Sequence, residues 1–328
     1  MTPAVVPAAL RGSTAAVSRI DFAPVDPVVE GRLDAQILYD IAPYYGELER
    51  GFASTHLPRI GTVMPSPGFS TLAKLAWAIL DGDRLIGKVV CTVKRNGAWK
   101  VGPVAVMPEY RNRGHAAACL ASIVRRAHST GWSCVVATVP RGNIATQRLF
   151  ARVGFCPIGE LVDHYRAGSV EDVVVCAVSG SVISGALKTT TAWRTGVGPL
   201  ERLHGYVTER FFPVDAGWRQ WLARCGDRTL EDFACKPHDV VHRNGAGTAL
   251  VIYKRGGTAK IVPVVDGNAP PAAEVVEACE CAARDRARRK AAMFLPVDVP
   301  APSGYRCELI AERYALRGPI AVWSRRLD

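Results

Sequence analysis

The stretch Val101-Gly102-Pro103-Val104-Ala105-Val106-Met107-Pro108-Glu109-Tyr110-Arg111-Asn112-Arg113-Gly114-His115-Ala116 decides the fold prediction. Its apolar first part predicts a strand that ends near Pro108, and the pattern after Gly114 predicts a helix. The loop between them is short and carries two arginines. Such a strand–loop–helix directs several backbone N–H groups and a helix N-terminus at one point, an arrangement that suits a pyrophosphate.

The residue types in this loop support an anion-binding role. Gly114 has no side chain, so a phosphate could approach the backbone closely. Arg111 and Arg113 add positive charge around the same point. His115, at the predicted helix start, is expected to be exposed or to face the phosphate rather than to act in catalysis.

The elements around the loop alternate between period-2 and helical patterns. A helix is predicted over Asp34–Glu49, followed by a loop over 51–69. Three antiparallel strands should come next, with hairpin signals at Asp81-Gly82-Asp83 and Asn96-Gly97. The predicted elements from there to the end of the first half are strands Leu75–Leu80, Leu85–Lys94 and Trp99–Met107, helix Arg113–Ser129, strand Ser133–Val139, helix Ile144–Arg152, and strands Ile158–Tyr165 and Val173–Val178.

This segment resembles the GNAT acyltransferase superfamily, whose acyl-CoA loop reads Arg/Gln-x-x-Gly-x-Gly/Ala. Arg111, Gly114 and Ala116 match that pattern. Downstream, Asn143, Phe150 and Gly154-Phe155 stand at the family's spacing. The resemblance implies a mixed, mostly antiparallel sheet flanked by helices over Leu75 to Val178, an α+β or α/β arrangement.

The resemblance also implies a mechanism and a site. The strands Val101–Met107 and Ser133–Val139 should splay apart, and the pantetheine arm of acetyl-CoA or another acyl-CoA should bond to the first strand. An amine would then attack the thioester directly, with backbone N–H groups stabilising the oxyanion. The implied acyl-CoA-binding residues are Val104, Ala105, Val106, Arg111, Asn112, Arg113, Gly114, His115, Ala116, Asn143 and Phe150, and no metal is expected.

Two departures from the family pattern concern acid–base chemistry. Family members often have a Tyr where this chain has Phe150, and often a Glu in the strand, where Gly102, Pro103 and Val104 offer no carboxylate. Tyr165 and His164, on a predicted strand with Asp163, are the substitute catalytic candidates. The alternative for these polar residues is an ordinary solvated edge strand.

The second half of the chain is predicted to repeat the fold without the loop. Residues 1–18 are read as a loose tail, 19–182 as the acyl-CoA-binding domain and 183–328 as a degenerate GNAT-like domain. After Val265 the equivalent loop carries no cation and has Pro270 and Pro271, which remove backbone donors. The predicted elements of this half are strands Thr248–Tyr253 and Lys260–Val265, helix Ala272–Arg284, and strands Ala291–Leu295, Leu309–Tyr314 and Ile320–Trp323.

Composition narrows the class of protein. The chain has 328 residues, ten cysteines and a formal net charge of +11. No apolar run is long enough for a membrane helix, and no signal peptide is recognised, so we expect a cytoplasmic protein with reduced thiols. Cys279 and Cys281 should face different sides of a helix, which argues against zinc. The positive charge is spread over both halves without a nucleic-acid-binding motif.

The predicted function is acyl-CoA-dependent N-acyl transfer, with acetyl transfer to the amine of a small molecule favoured. One alternative is a non-catalytic acyl-CoA sensor or scaffold, because Phe150 and the missing strand carboxylate weaken the case for catalysis. Another is an acetyltransferase that acts on protein amines, which changes the acceptor and not the donor.

Overall fold

The computed structural model describes residues 18–44, 57–68, 71–94, 98–129, 134–177, 238–254, 257–311 and 320–327. They form two compact units. The first contains the described residues up to Ile158, apart from 67–70, together with those from Glu171 to 177. The second contains Gly159–Val170 and the described residues from 238 onward. Residues 1–17 of the predicted tail and the predicted boundary between 182 and 183 lie outside these ranges, so both stay predictions, while Ser18 is the first residue of β1.

The first unit is a mixed sheet with helices on both faces. Its strands are ordered β1-β3-β4-β5-β6-β8, with β2 paired to β3. The pairs β1–β3, β3–β4, β4–β5 and β6–β8 are antiparallel, and β5–β6 is parallel. The element bounds are β1 Ser18–Asp21, α1 Pro27–Ile41, β2 Val63–Gly68, β3 Thr71–Asp81, β4 Arg84–Lys94, β5 Ala98–Val106, α2 His115–Ser129, β6 Cys134–Pro140, α3 Ile144–Arg152, β7 Cys156–Val162 and β8 Val170–Ala177.

Alternation along β3 shows how the helices cover the two faces of the sheet. Ala76 and Ala78 share an apolar cluster with Leu33 of α1. Trp77, which points the other way, lies under the guanidinium of Arg126 of α2, 4.4 Å from the ring centroid. The predicted mixed, mostly antiparallel sheet flanked by helices is therefore confirmed.

Helix α1 begins seven residues before the predicted start at Asp34. Asp26 caps it by accepting a hydrogen bond from the Val28 N–H at 2.8 Å, and Pro27 occupies the first helical turn. Both residues are typical of helix starts. The helix ends at Ile41; residues 45–49 of the predicted helix lie outside the described part of the chain. A second difference is β2, which occupies a stretch predicted to be loop.

The second unit repeats part of the strand order of the first, because β9-β10-β11-β12-β14 corresponds to β3-β4-β5-β6-β8. Its strands are ordered β13-β14-β12-β11-β10-β9, and β11 with β12 is its parallel pair among the described residues. Helix α4 packs on β9 to β12, as the core cluster around Cys279 shows. The bounds are β9 His238–Arg243, β10 Gly247–Tyr253, β11 Thr258–Pro263, α4 Ala273–Asp285, β12 Lys290–Pro296, β13 Arg306–Ala311 and β14 Ile320–Arg326.

The repeat is incomplete in one respect. In the first unit α3 lies between β6 and β7, whereas residues 297–305, between β12 and β13, contain no helix. Among the described residues, the order of hairpin, helix, parallel strand and closing hairpin is otherwise the same, which agrees with the predicted second GNAT-like half. Cys279 is buried and Cys281 exposed, as predicted for two faces of α4. Among the described helices, none has the length and apolar character that crossing a membrane requires.

Candidate functional site

The parallel pairing of β5 and β6 stops before either strand ends. Its rungs are Ala98 with Cys134, Trp99 with Val135, and Lys100 with Val136. Strand β5 continues to Val106 and β6 to Pro140. From residue 101 to 106, the edge of β5 that faces β6 is therefore not part of the β5–β6 ladder. The opposite edge of β5 stays paired with β4. Because backbone polar groups require partners, this edge can accept a ligand that carries amide groups.

A bulge lies in the middle of this free edge. Val89 pairs with Val104 and Cys91 with Val101, so Gly102 and Pro103 oppose the single residue Val90. Gly102 has a φ of 135°, a conformation that favours glycine. Bulges bend a strand and redirect the groups that follow it. The backbone of Val104 to Val106 thus leaves the bulge in a new direction just before the loop.

The loop after β5 has the conformation that the sequence predicts. A short 3₁₀ turn covers Pro108–Tyr110, and α2 begins at His115. Gly114 has a φ of 89°, and its carbonyl accepts the first helical bond, from Ala118 N–H at 3.0 Å. A Cβ atom added at Gly114 would meet no atom within 4 Å. The space before the helix N-terminus is open, and residues 111–114 are exposed.

The two arginines of the loop have different environments. The Nε atom of Arg111 donates to the Val106 carbonyl at 2.9 Å, and its guanidinium pairs with Asp40 of α1 at 2.8 Å. Arg111 therefore holds the loop against β5 and α1. Arg113 lies over the Tyr110 ring at 5.6 Å, and Arg84, which the sequence pattern did not single out, lies over the same ring at 5.3 Å.

The His115 side chain is not exposed as predicted. It is 2% exposed and packs edge-on to Tyr110, with the ring centroids 6.2 Å apart. Tyr110 is itself buried beneath the two arginines. Because the imidazole is buried against the Tyr110 ring, His115 could take part in anion binding through its backbone N–H at the helix start.

Asn143 and Phe150 both belong to α3. The Asn143 side chain caps the helix by accepting from Thr146 N–H at 3.1 Å. Phe150 is 4% exposed, and its ring meets that of Phe155 edge-to-face at 4.9 Å between centroids. Both residues thus have structural roles at the start and end of α3, in addition to any contact with a ligand.

The predicted strand Ile158–Tyr165 ends early. Strand β7 stops at Val162, and Asp163 has a φ of 55°. His164 and Tyr165 therefore do not alternate on a strand; they lie in the turn that follows, with their rings edge-to-face at 4.6 Å. This turn belongs to the second compact unit, whereas Val104–Val106 and Arg111–Ala116 come together in the first.

Asp163 stabilises the turn. Its carboxylate accepts from Gly168 N–H at 2.6 Å and from Arg326 Nε at 2.8 Å. Burial opposes ionisation of this carboxyl, but the Gly168 hydrogen bond and the Arg326 guanidinium outweigh it and hold its pKa below the usual value of 3.8.

A buried charge cluster that the sequence reasoning missed lies between α1 and β4. The Lys88 ammonium is completely buried and contacts the carboxylates of Glu30 and Asp34, each at 2.7 Å. Glu30 also accepts from Ile60 N–H at 2.7 Å. Two features of the sequence could have indicated this cluster: a lysine inside an apolar strand pattern, and two acids four residues apart on a helix.

Part of this chain matches a family of known proteins. Residues 46–155 match the family model of the acetyltransferase (GNAT) family. A search of curated proteins found no significant relative.

Several solved structures of acetyltransferases resemble about half of the chain. NAA60 of Arabidopsis thaliana, solved with a bisubstrate analogue, is 22% identical, with 50% of this chain and 100% of that chain covered at a TM-score of 0.39. A GNAT-family protein of Desulfovibrio desulfuricans is 19% identical, with 49% and 98% covered at 0.37. An aminoglycoside 6'-N-acetyltransferase complexed with coenzyme A is 12% identical, with 49% and 97% covered at 0.36.

Proposed function

We propose that this chain transfers an acetyl group from acetyl-CoA to the amine of a small molecule, because residues 46–155 match the acetyltransferase (GNAT) family model. The observation that carries the proposal is the early end of the β5–β6 pairing at Lys100 and Val136, next to an open helix N-terminus. An acyl-CoA has the two parts that this arrangement suits, an amide-containing arm and a pyrophosphate.

The proposed binding mode assigns one part of the donor to each element. The pantetheine amides bond to the free backbone edge of Val104 to Val106, as an added strand would. The pyrophosphate lies at the N-terminus of α2, where Gly114 allows close approach and the N–H groups of the first turn point outward. Arg113 and Arg84 supply the positive charge, because the Arg111 guanidinium is paired with Asp40.

The chemistry proposed for the reacting centre is direct aminolysis. The amine nitrogen bonds to the thioester carbon, the C–S bond breaks, and the CoA thiolate leaves. Backbone N–H groups near the bulge stabilise the oxyanion of the tetrahedral intermediate. Thiols have pKa values of about 8–9, so the thiolate is a tolerable leaving group even without a strong acid.

A non-catalytic acyl-CoA sensor is the second candidate. The observations that favour it are the absence of a carboxylate at Gly102, Pro103 and Val104 and the burial of Phe150 at the family's usual Tyr position. A protein amine as acceptor is a third possibility, since the donor site is the same for either acceptor.

The test is turnover of acetyl-CoA with defined acceptors. Thiol release should be followed with a panel of alkyl mono-, di- and polyamines and with a peptide N-terminus, and acetyl-CoA binding measured separately by calorimetry. Transfer to small amines supports the proposal, and transfer to the peptide alone overturns the small-molecule acceptor. Binding without turnover for any amine supports the sensor, and no binding overturns the donor assignment.

A further inference from the structure

The Lys88 cluster carries an excess negative charge at its outer end. One ammonium and two carboxylates meet between β4 and α1, so the cluster has a net charge of −1 when all three are ionised. The Lys88 side chain is fully buried and that of Glu30 is 7% exposed, whereas Asp34 is 32% exposed. The uncompensated charge therefore reaches solvent at Asp34, and a cation approaching from outside would meet this carboxylate first.

The cluster lies next to β5 on its paired side, opposite the free edge that faces β6. Lys88 is the direct cross-strand partner of Ala105, so the two side chains project from the same face of the sheet. Neighbouring strands are about 4.8 Å apart. The cluster is therefore one strand away from Val104–Val106, the backbone proposed to hold the pantetheine arm. Helix α1, which carries Asp34, covers this face and contacts both β4 and β5.

The same helix is connected to the loop at its other end. Asp40, six residues after Asp34, pairs with Arg111, which also bonds the Val106 carbonyl. Two separate ion contacts thus fix α1 over the end of β5. Asp34 is held on a helix and by a buried lysine, and this gives its carboxylate a defined position.

We propose that Asp34 binds the cationic acceptor amine and takes its first proton, in place of the strand carboxylate that this chain lacks. The inference rests on the proposed function, since it assigns a role in the same reaction. The acceptor arrives as an ammonium, and the proton passes from its nitrogen to the Asp34 carboxylate and then to solvent. The free amine bonds to the thioester carbon, and its second proton ends on the departing CoA thiolate.

The surroundings of Asp34 agree with this role. Burial raises the pKa of this carboxyl above its usual 3.8, against the opposing effect of Lys88, and Glu30 adds to the rise. A raised pKa makes a carboxylate a better proton acceptor at neutral pH. The charged groups that face Asp34 are Lys88 from β4 and Glu30 from α1 itself. Strand β5 carries one charged residue, Lys100, which pairs with Thr92, four residues along β4 from Lys88.

The experiment is a pH profile of acetyl transfer to a small alkyl diamine by Asp34→Asn. With the carboxylate present, kcat/KM should be flat between the pKa of Asp34 and that of the amine, because the ammonium is the form that binds. Without the carboxylate, the reaction requires an amine that is already deprotonated in solution. We expect kcat/KM near pH 7 to fall about 10²–10⁴-fold and to rise tenfold per pH unit. Acetyl-CoA affinity should be unchanged.

Two further variants separate catalysis from support of the fold. Asp34→Glu keeps the carboxylate and should recover part of the flat profile. Asp21→Asn removes a half-exposed, ion-paired aspartate of β1 and should leave rate and profile as they are. If Asp34→Asn and Asp34→Glu both lower Tm while both keep the flat profile, Asp34 is structural and the inference is overturned. Wild-type protein that binds acetyl-CoA but acetylates no amine would instead overturn the proposed function.

Discussion

Gly114 is the residue on which acyl-CoA binding depends most directly. Its φ of 89° is one that other residues adopt only at a cost, and the space before it is open. Gly114→Trp should therefore fold with a modest loss of stability, about 1–2 kcal/mol, but should fill the space where the pyrophosphate is proposed to lie. We expect acetyl-CoA binding, measured by calorimetry, to fall at least about 100-fold, the loss of about 2.7 kcal/mol.

Gly82 offers a matched control for this substitution. It has a φ of 60° and open space around it, but it lies in the turn between β3 and β4. Gly82→Trp should carry a similar backbone strain and bind acetyl-CoA normally. Equal affinities of Gly114→Trp and wild type would show that the loop is not the donor site.

Tyr165 remains the candidate for protonating the thiolate, with His164 as the second choice. The structure places both in the turn after β7, where they do not alternate on the two faces of a strand. We expect Tyr165→Phe to lower kcat about 10²–10⁴-fold at unchanged acetyl-CoA affinity, and His164→Ala to have a smaller effect. Full activity of both variants across the pH range would leave thiolate protonation to solvent.

Phe150→Tyr tests whether the family's usual phenol can be restored. Because the ring is buried against Phe155, the added hydroxyl would enter an apolar contact. A buried hydroxyl without a partner costs about 1–3 kcal/mol. We expect a lower Tm and no gain in acetyl transfer. A higher kcat would mean that the ring edge reaches the reacting centre.

At the scale of elements, the turn after β7 should make the protein sensitive to acid. The lowered pKa of Asp163 means that its ionised form stabilises the fold above the pKa of the unfolded chain, about 3.9. That contribution is lost as pH falls through the still lower folded-state pKa. Asp163→Asn keeps a residue that tolerates positive φ and an oxygen for Gly168 N–H, but loses the charge that pairs with Arg326.

The expected result is a Tm lower by about 2–4 °C at pH 7, corresponding to about 1 kcal/mol, with a smaller further loss between pH 5 and 3 than in wild type. Thermal unfolding followed by circular dichroism over this range provides the measurement. Asp298→Asn, which changes an exposed aspartate of the same unit, serves as the control. If the Tm of Asp163→Asn falls between pH 5 and 3 as steeply as that of wild type, the acid sensitivity does not come from this carboxyl.

The elements that the sequence predicts well are those with local signals. Gly114 and the start of α2 depend on neighbours in the chain, and both are where the pattern puts them. The end of β7 depends on Arg326, 163 residues away, which bonds Asp163 in a conformation that no strand pattern contains. The start of α1 also has a local signal, since Asp26-Pro27 is typical of a helix start, but the apolar spacing that predicts the helix begins later.

The buried Lys88 cluster could not be predicted from the sequence for a different reason. A lysine in an apolar strand and two acids on a helix are each compatible with solvent exposure when taken alone. They become a cluster only when α1 packs on β4, a tertiary contact between residues 54 and 58 positions apart. Burial of Lys88 then requires a carboxylate partner, which Glu30 supplies from the buried side of the cluster, since an unpaired buried charge is costly.

At the scale of the whole molecule, the described residues contain much of the same strand order twice but the Arg-x-x-Gly loop, which we propose binds the pyrophosphate, once. In the second unit, α4 begins at Ala273 after the loop Asp266–Pro271, and Ala272 makes no side-chain cap. Two of the loop's six residues are prolines, which lack the N–H that an anion needs. No arginine stands at the positions of Arg111 or Arg113. The second unit thus has an apolar core of its own, but its loop lacks the groups that we propose bind acyl-CoA in the first unit.

We therefore predict one acyl-CoA site per chain. Calorimetric titration of the full chain with acetyl-CoA should saturate at one equivalent, and Gly114→Trp should remove all of the measured heat, because the loop Asp266–Pro271 carries no cation and two of its residues lack an N–H. Gly267, whose φ of 61° resembles that of the loop glycine, is the natural control position in the second unit. Gly267→Trp should leave the stoichiometry at one. Two equivalents, or heat that survives in Gly114→Trp and disappears in Gly267→Trp, would show that the second loop binds acyl-CoA after all.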